Sequence, residues 1–270
     1  MQMLRANSVM YRISPIVISV ALLSSTALAQ ESLSIASDPH DLSRPISTLL
    51  DQLRKENVPV TYEDPRYANS ADIRDITAEV ARDPAAAARP GHRTLIPKGR
   101  PIGFVYAPED VRNPHQAERV IARILREYRS LGGPTFAVTR DANRLHVVPV
   151  DVLDAEGNRI KQSSILDALI SIPVGPRDGL QFLQAICDEL KKQIGFEIGI
   201  GPSVPSNNLE GYRTNEGIDK MSAQSAIERL LDKSSRTGNF VWDLYYDPGD
   251  KSYGLNFSYV GHANSNPATE

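Results

Sequence analysis

One cysteine occurs in 270 residues, Cys187, so the chain holds no internal disulfide whatever the redox state around it. Cys187 lies one helical turn from Leu183 and Leu190, on their apolar side. That position predicts a core residue, the alternative being an intermolecular or reactive thiol. Positive charge is not in surplus either: 30 basic side chains face 33 acidic ones, for a formal net charge of −3. A nucleic-acid partner requires a concentrated basic face, so none is expected. Histidine is scarce and scattered, at His40, His92, His115, His146 and His262. No two of them stand at i+2 or i+4, which excludes the helical zinc-protease pattern. There is no G-x-S-x-G elbow, and the glycines at 132–133 and 199–201 lack a phosphate-loop pattern. No catalytic residue, cofactor or metal ligand set is expected from these motifs. Long apolar runs are missing too. The longest, over residues 13–23, falls short of the ~20 residues of a membrane span and is interrupted by Ser14, Pro15 and Ser19.

That short run has a different meaning in context. Arg5 and Arg12 precede it with no acid nearby, and small residues follow, ending in Ala27, Leu28 and Ala29. A positive segment, an apolar segment and an A-x-A site make an export signal, with cleavage expected between Ala29 and Gln30. No cysteine follows Ala29, so a lipid anchor is not expected. Removing residues 1–29 takes away two arginines and no acids, leaving a net charge of −5 on residues 30–270. The mature chain is expected to be periplasmic or secreted, without a membrane span, and long enough for one large or two small domains.

Periodicity supplies the architecture. Ile46, Leu49, Leu50 and Leu53 mark one helix face, opening near Ser43 and stopping at Asn57. Val58, Val60 and Tyr62 then alternate as a short strand, expected at a sheet edge because Pro59 lacks a donor. Residues 73–80 are ambiguous, 83–91 read as a loop, and 102–106 as a strand. Asn113 and Pro114 open the clearest helix. Its stripe runs through Ala117, Val120, Ile121, Ile124, Leu125, Tyr128 and Leu131 to a stop at Gly132. A hairpin follows over 136–152. The order then recurs: a strand at 172–174, a helix at 178–194 ended by Gly195, a strand at 196–200, a loop at 202–208, and a possible strand end at Ile218. A helix capped by Ser222 and a hairpin at 240–260 complete it. Ile121, Arg123, Ile124 and Leu125 are matched by Ile227, Arg229, Leu230 and Leu231. The expected fold is α+β: two small modules, helices on antiparallel or mixed sheets, of βαβ and αββ type in tandem. The expected layout is a flexible 30–42, a first module over 43–153, a linker over 154–164, a second module over 165–260 and a disordered tail over 261–270.

In the second half, Ile172, Pro173 and Val174 lead into the Leu180 helix. Gly195 and Phe196 open the next strand, and the Ser222 helix and Trp242 hairpin follow. This series resembles the short N-terminal domain of secretins and of TonB-dependent signalling receptors, which packs helices on short sheets and docks other proteins. The likeness covers about a third of the chain. It departs from the family in that almost nothing follows Val260, where a pore or barrel would stand, so a receptor or pore role is not implied. With the string from Val60 to Pro65 as the suggestive feature, the whole chain also resembles a class of exported bacterial proteins of unknown function.

Chemistry-bearing residues are few. Glu63 and Asp64 flank a proline turn, Asp188 and Glu189 sit on a helix face, and Asp243, Asp247 and Asp250 surround a hairpin turn without a calcium loop's ligand count. Paired carboxylates can hydrolyse glycosides, but these positions read as structural, and His146 reads as a surface or sheet residue. Trp242, Tyr245, Tyr246, Tyr253 and Tyr259 lie on the last hairpin, where strand alternation places some on each face. They either cover the sheet or form a face that binds protein or carbohydrate. The preferred expectation is a non-catalytic interaction module of the cell envelope, with a protein or glycan partner. The rival is a periplasmic hydrolase with its site at the module junction, which a pocket joining His146 to Glu63 or Asp64 would favour.

Overall fold

The computed structural model describes residues 33–36, 43–80, 93–141, 143–234 and 239–261. The expected export signal over 1–29, the expected loop over 83–91, the expected flexible stretch over 30–42 apart from 33–36, and the expected tail from 262 onward lie outside the described residues. The chain is α+β. Its first half runs β1 (Leu33–Ala36), α1 (Pro45–Lys55), β2 (Val60–Glu63), β3 (Ile73–Asp75), α2 (Thr77–Val80), β4 (Leu95–Pro97), β5 (Gly103–Tyr106), α3 (Pro114–Ser130), β6 (Thr135–Arg140), β7 (Leu145–Leu153) and β8 (Arg159–Lys161). The second half runs β9 (Leu169–Ile172), β10 (Arg177–Asp178), α4 (Gly179–Ile194), β11 (Glu197–Ile200), α5 (Ser206–Glu210), β12 (Arg213–Thr214), β13 (Ile218–Ser222), α6 (Ala223–Ser234), β14 (Asn239–Asp247) and β15 (Ser252–Val260).

Local chemistry sets these bounds. The Asn113 side chain accepts from the amides of His115 and Gln116, leaving Pro114 where a donor is not needed. Gly132 follows α3 at φ 84° and Gly195 caps α4 at φ 71°, a left-handed conformation that glycine adopts without a Cβ clash. Asp178 and Gln181 form a reciprocal capping box at the start of α4.

The pairings repeat. β1 lies antiparallel to β5 in the first half, and β9 lies antiparallel to β13 in the second. β2 runs parallel to β7 and β11 parallel to β15, while β6–β7 and β14–β15 are antiparallel hairpins. The two strand triplets lie side by side in one sheet of order β11-β15-β14-β2-β7-β6, with β8 also on β7. They are joined by parallel pairing of β14 with β2, Asp243 opposite Tyr62 and Leu244 opposite Glu63. Passing from one triplet to the next keeps the strand order and reverses the strand directions. That operation turns the sheet over, so the two halves lay their helices on opposite faces.

Side chains follow this geometry, because successive strand residues alternate in face. Trp242, Leu244 and Tyr246 join α4 and α6 in one apolar core, and Val60, Tyr62 and Val147 join α1 and α3 in another. The intervening Asp243 and Tyr245 face α1 of the first half, bonding Arg54 and Ser47. Thr61 and His146, on the reverse side of the first triplet, lie under α6 of the second half, where Glu228 approaches His146. Each half thus covers the other's bare sheet face.

This corrects three sequence expectations. β2 is a central strand, buried at every position, because Pro59 precedes the ladder and uses only its carbonyl, which accepts from Leu145 N. The 172–174 strand lies earlier, at Leu169–Ile172. Ile218 begins a strand rather than closing one. Residues 154–164 carry a turn and then β8, which pairs with β7. Among the described residues no helix is long and apolar enough to cross a membrane.

Candidate functional site

The join between the halves collects most of the buried charge. Arg54, on the last turn of α1, is 1 % exposed. Its Nη2 and Nη1 donate to Asp243 at 2.5 and 3.0 Å, Nη1 also to Asp51, and its Nε to the carbonyl of Val60 at 2.8 Å. The Ser258 hydroxyl donates to the same Asp243 carboxylate. Burial pushes the Asp243 carboxyl up against the pull of Arg54. For Arg54, burial works against the charge, but Asp243 and Asp51 outweigh it and hold the guanidinium firmly protonated. Asp243 is therefore a buried ion-pair member and not part of the hairpin turn. Asp247 alone caps that turn, accepting from the amides of Gly249 and Asp250.

Glu63 and Asp64 also serve the join. The Arg44 Nε donates to Asp64 at 2.6 Å and its Nη2 to the Tyr246 carbonyl at 2.8 Å. The Tyr246 amide donates back to Asp64 at 2.9 Å. Glu63 accepts from the Ser164 hydroxyl and from the Ile165 amide. Complete burial raises its carboxyl to about 7, in spite of those two donors.

The third contact is chemically richer. His146 on β7 is 3 % exposed. Its Nδ1 shares a 2.9 Å hydrogen bond with Thr61 Oγ1 and lies 3.6 Å from Glu228 Oε1. Its ring stacks on Trp242, centroids 6.0 Å apart and planes within 11°. Its Nε2 is 3.3 Å from Asp141 Oδ2 without hydrogen-bond alignment, and it has no hydrogen-bond partner. Glu228 accepts from Trp242 Nε1 at 3.2 Å. Burial first, with Asp141 adding to it, raises Glu228 to about 7. Burial lowers His146 below the usual imidazole range. Burial acts to raise Asp141, but the amides of Asn143 and Arg144 outweigh it and hold this carboxyl low. One donor atom from each of Asp141, His146 and Glu228 lies within 4.8 Å of the others. A depression of about 120 Å³ takes in Arg144 and Asn57 but neither His146 nor Glu228. The trio can share protons or hold a cation.

The expected aromatic face is corrected by burial. Trp242 is 0 %, Tyr253 2 % and Tyr246 4 % exposed. Tyr245 is partly buried, with Ser47 on its hydroxyl and Arg44 over its ring. Of the five, only Tyr259 is open, at 40 %. The hairpin's alternation reads as half-exposed, yet both its faces are covered. His146 is likewise interior, and its partners are Thr61, Asp141 and Glu228 rather than Glu63 or Asp64. Cys187 is fully buried in α4, and burial raises its thiol to about 12.

Sequence reasoning missed Arg54, Arg44, Glu228 and Asp141. A signal existed for two of them. Arg54 falls four residues after Leu50 on the α1 stripe, and Glu228 three before Leu231 on that of α6, so each sets a charge beside an apolar helix face. Comparison of the chain with protein-family models, with curated proteins and with solved structures finds no significant match.

Proposed function

We propose that the chain is an exported, non-catalytic protein-interaction module of the cell envelope, built from a duplicated α+β unit and released into the periplasm or medium when residues 1–29 are removed. The observation that carries this reading is where its exposed apolar side chains stand. The small two-stranded sheet of each half presents one, Val105 at 58 % on β5 and Leu169 at 59 % on β9, and Val174 beyond β9 is 80 % exposed. The buried ionisable groups are meanwhile spent on holding the halves together. A partner that covered these side chains would gain by removing them from water. A protein partner suits them better than a glycan, since the rings that would stack on sugar are in the core.

Affinity capture with cross-linking from an envelope fraction tests this, comparing the wild type with Val105→Asp and with Leu169→Asp/Val174→Asp. The expected result is a defined partner whose recovery falls at least about tenfold in one of the variants, the equivalent of ~1.4 kcal/mol. Thermal stability should barely move, as for other exposed substitutions. Equal recovery from wild type and variants would contradict the surface assignment.

A second reading, a hydrolase at the junction, is favoured by one observation, the convergence of Asp141, His146 and Glu228 there. It predicts turnover on a hydrolase substrate panel that disappears in Asp141→Asn.

A further inference from the structure

We propose that Asp141, His146 and Glu228 form a binding site for a divalent transition-metal ion of the zinc class, which clamps the β6–β7 hairpin of the first half to α6 of the second. This inference does not rest on the docking reading. It starts from an imidazole nitrogen that is buried and unpartnered, with a carboxylate beside it. His146 Nε2 stands 3.3 Å from Asp141 Oδ2 without the alignment of a hydrogen bond. That separation matches the edge of a coordination tetrahedron: ligands bound at ~2.0–2.2 Å lie roughly 3.3–3.6 Å apart. One nitrogen and two carboxylate oxygens are donors that zinc, cobalt and manganese accept, whereas calcium and magnesium prefer oxygen alone.

Each ligand is also held from behind, as metal ligands characteristically are. Thr61 Oγ1 occupies His146 Nδ1 and leaves Nε2 for the ion. Asp141 Oδ1 accepts from the amides of Asn143 and Arg144, at 2.9 and 2.8 Å, and leaves Oδ2. Glu228 Oε1 accepts from Trp242 Nε1, and the Glu228 and Asp141 carboxyls share a hydrogen bond whose proton a bound ion displaces. Trp242 further fixes the imidazole plane by stacking. The neighbouring cation, Arg144, directs its guanidinium to Asp232. Asp141 is 41 % exposed at its side chain, so an ion reaches the site from that side and completes its shell with water.

The test uses the untagged chain, stripped with a chelator and titrated with Zn²⁺ by calorimetry and with Co²⁺ by visible absorption. One equivalent of ion is expected, with a cobalt d–d band that zinc abolishes and a higher melting temperature. Asp141→Asn keeps the turn-capping oxygen and lies at the surface, so it folds. It is expected to weaken binding at least tenfold, the lower end of what losing even a hydrogen-bond partner behind a ligand costs. Glu228→Gln should do the same, and Thr61→Val should weaken binding less. No heat and no band at millimolar ion would overturn the proposal. So would a stoichiometric site whose affinity is unchanged in both Asp141→Asn and Glu228→Gln, which would place the ion elsewhere.

Discussion

Asp243→Ala is expected to lower folding stability by on the order of 3–5 kcal/mol, because it strands a buried guanidinium without its partner. Both members of the pair are 1 % exposed or less, at 2.5 Å. Arg54 keeps only Asp51, itself half exposed, as an anionic contact. Arg54→Ala should cost a similar amount by leaving the Asp243 carboxylate buried against Ser258 alone. The double variant Arg54→Met/Asp243→Leu should recover much of the loss, since two apolar side chains remove both desolvation costs together. Urea unfolding of the four proteins compares these stabilities directly. Single variants within ~1 kcal/mol of wild type would put the pair in the class of exposed ion pairs and remove it as the lock between the halves.

The next largest effect is a pH dependence at Glu63. Its carboxyl rises from 4.5 to about 7 in the folded chain, so over that interval the folded state holds a proton that the unfolded state has released. Stability is then greatest below pH 4.5 for this group, falls as pH rises toward 7 and is level above it. The shift is worth on the order of 3 kcal/mol. Glu63→Gln imitates the neutral acid and keeps an acceptor for the Ile165 amide. Chemical denaturation from pH 4.5 to 8 should therefore show a shallower decline for the variant than for wild type and a more stable variant at pH 8. Parallel curves would mean that Glu63 is ionised and solvated in the folded chain, against its burial and its contacts with Ser164 and Ile165.

The α+β class and the main helices were legible because their signals are local. Asn113 with Pro114 opens α3 and Gly132 closes it; Asp178 opens α4 and Gly195 closes it. The hairpins followed from alternation around Asp141 and Asp247. Position in the sheet was not legible. β2 looks like an edge strand beside Pro59, and it is central only because β14, some 180 residues later in the chain, pairs with it. The same non-local event buries the aromatic hairpin. Trp242, Leu244 and Tyr246 were set for one face by period, but nothing near them reveals that α1 covers the other. The candidate site had a fainter trace, in that Arg54 and Glu228 place charges beside otherwise apolar helix faces. His146 was visible as a strand residue, whereas its partners on a turn and on a distant helix were not.

The central claim is that two like-ordered halves share one sheet through β2 and β14. Native-state hydrogen exchange at the Asp64 amide, which donates to the Leu244 carbonyl at 2.8 Å across that seam, tests it most directly. If the claim holds, this amide exchanges only with global unfolding, as slowly as the interior of α3. Exchange as fast as that of the edge strands β6 and β11 would contradict it.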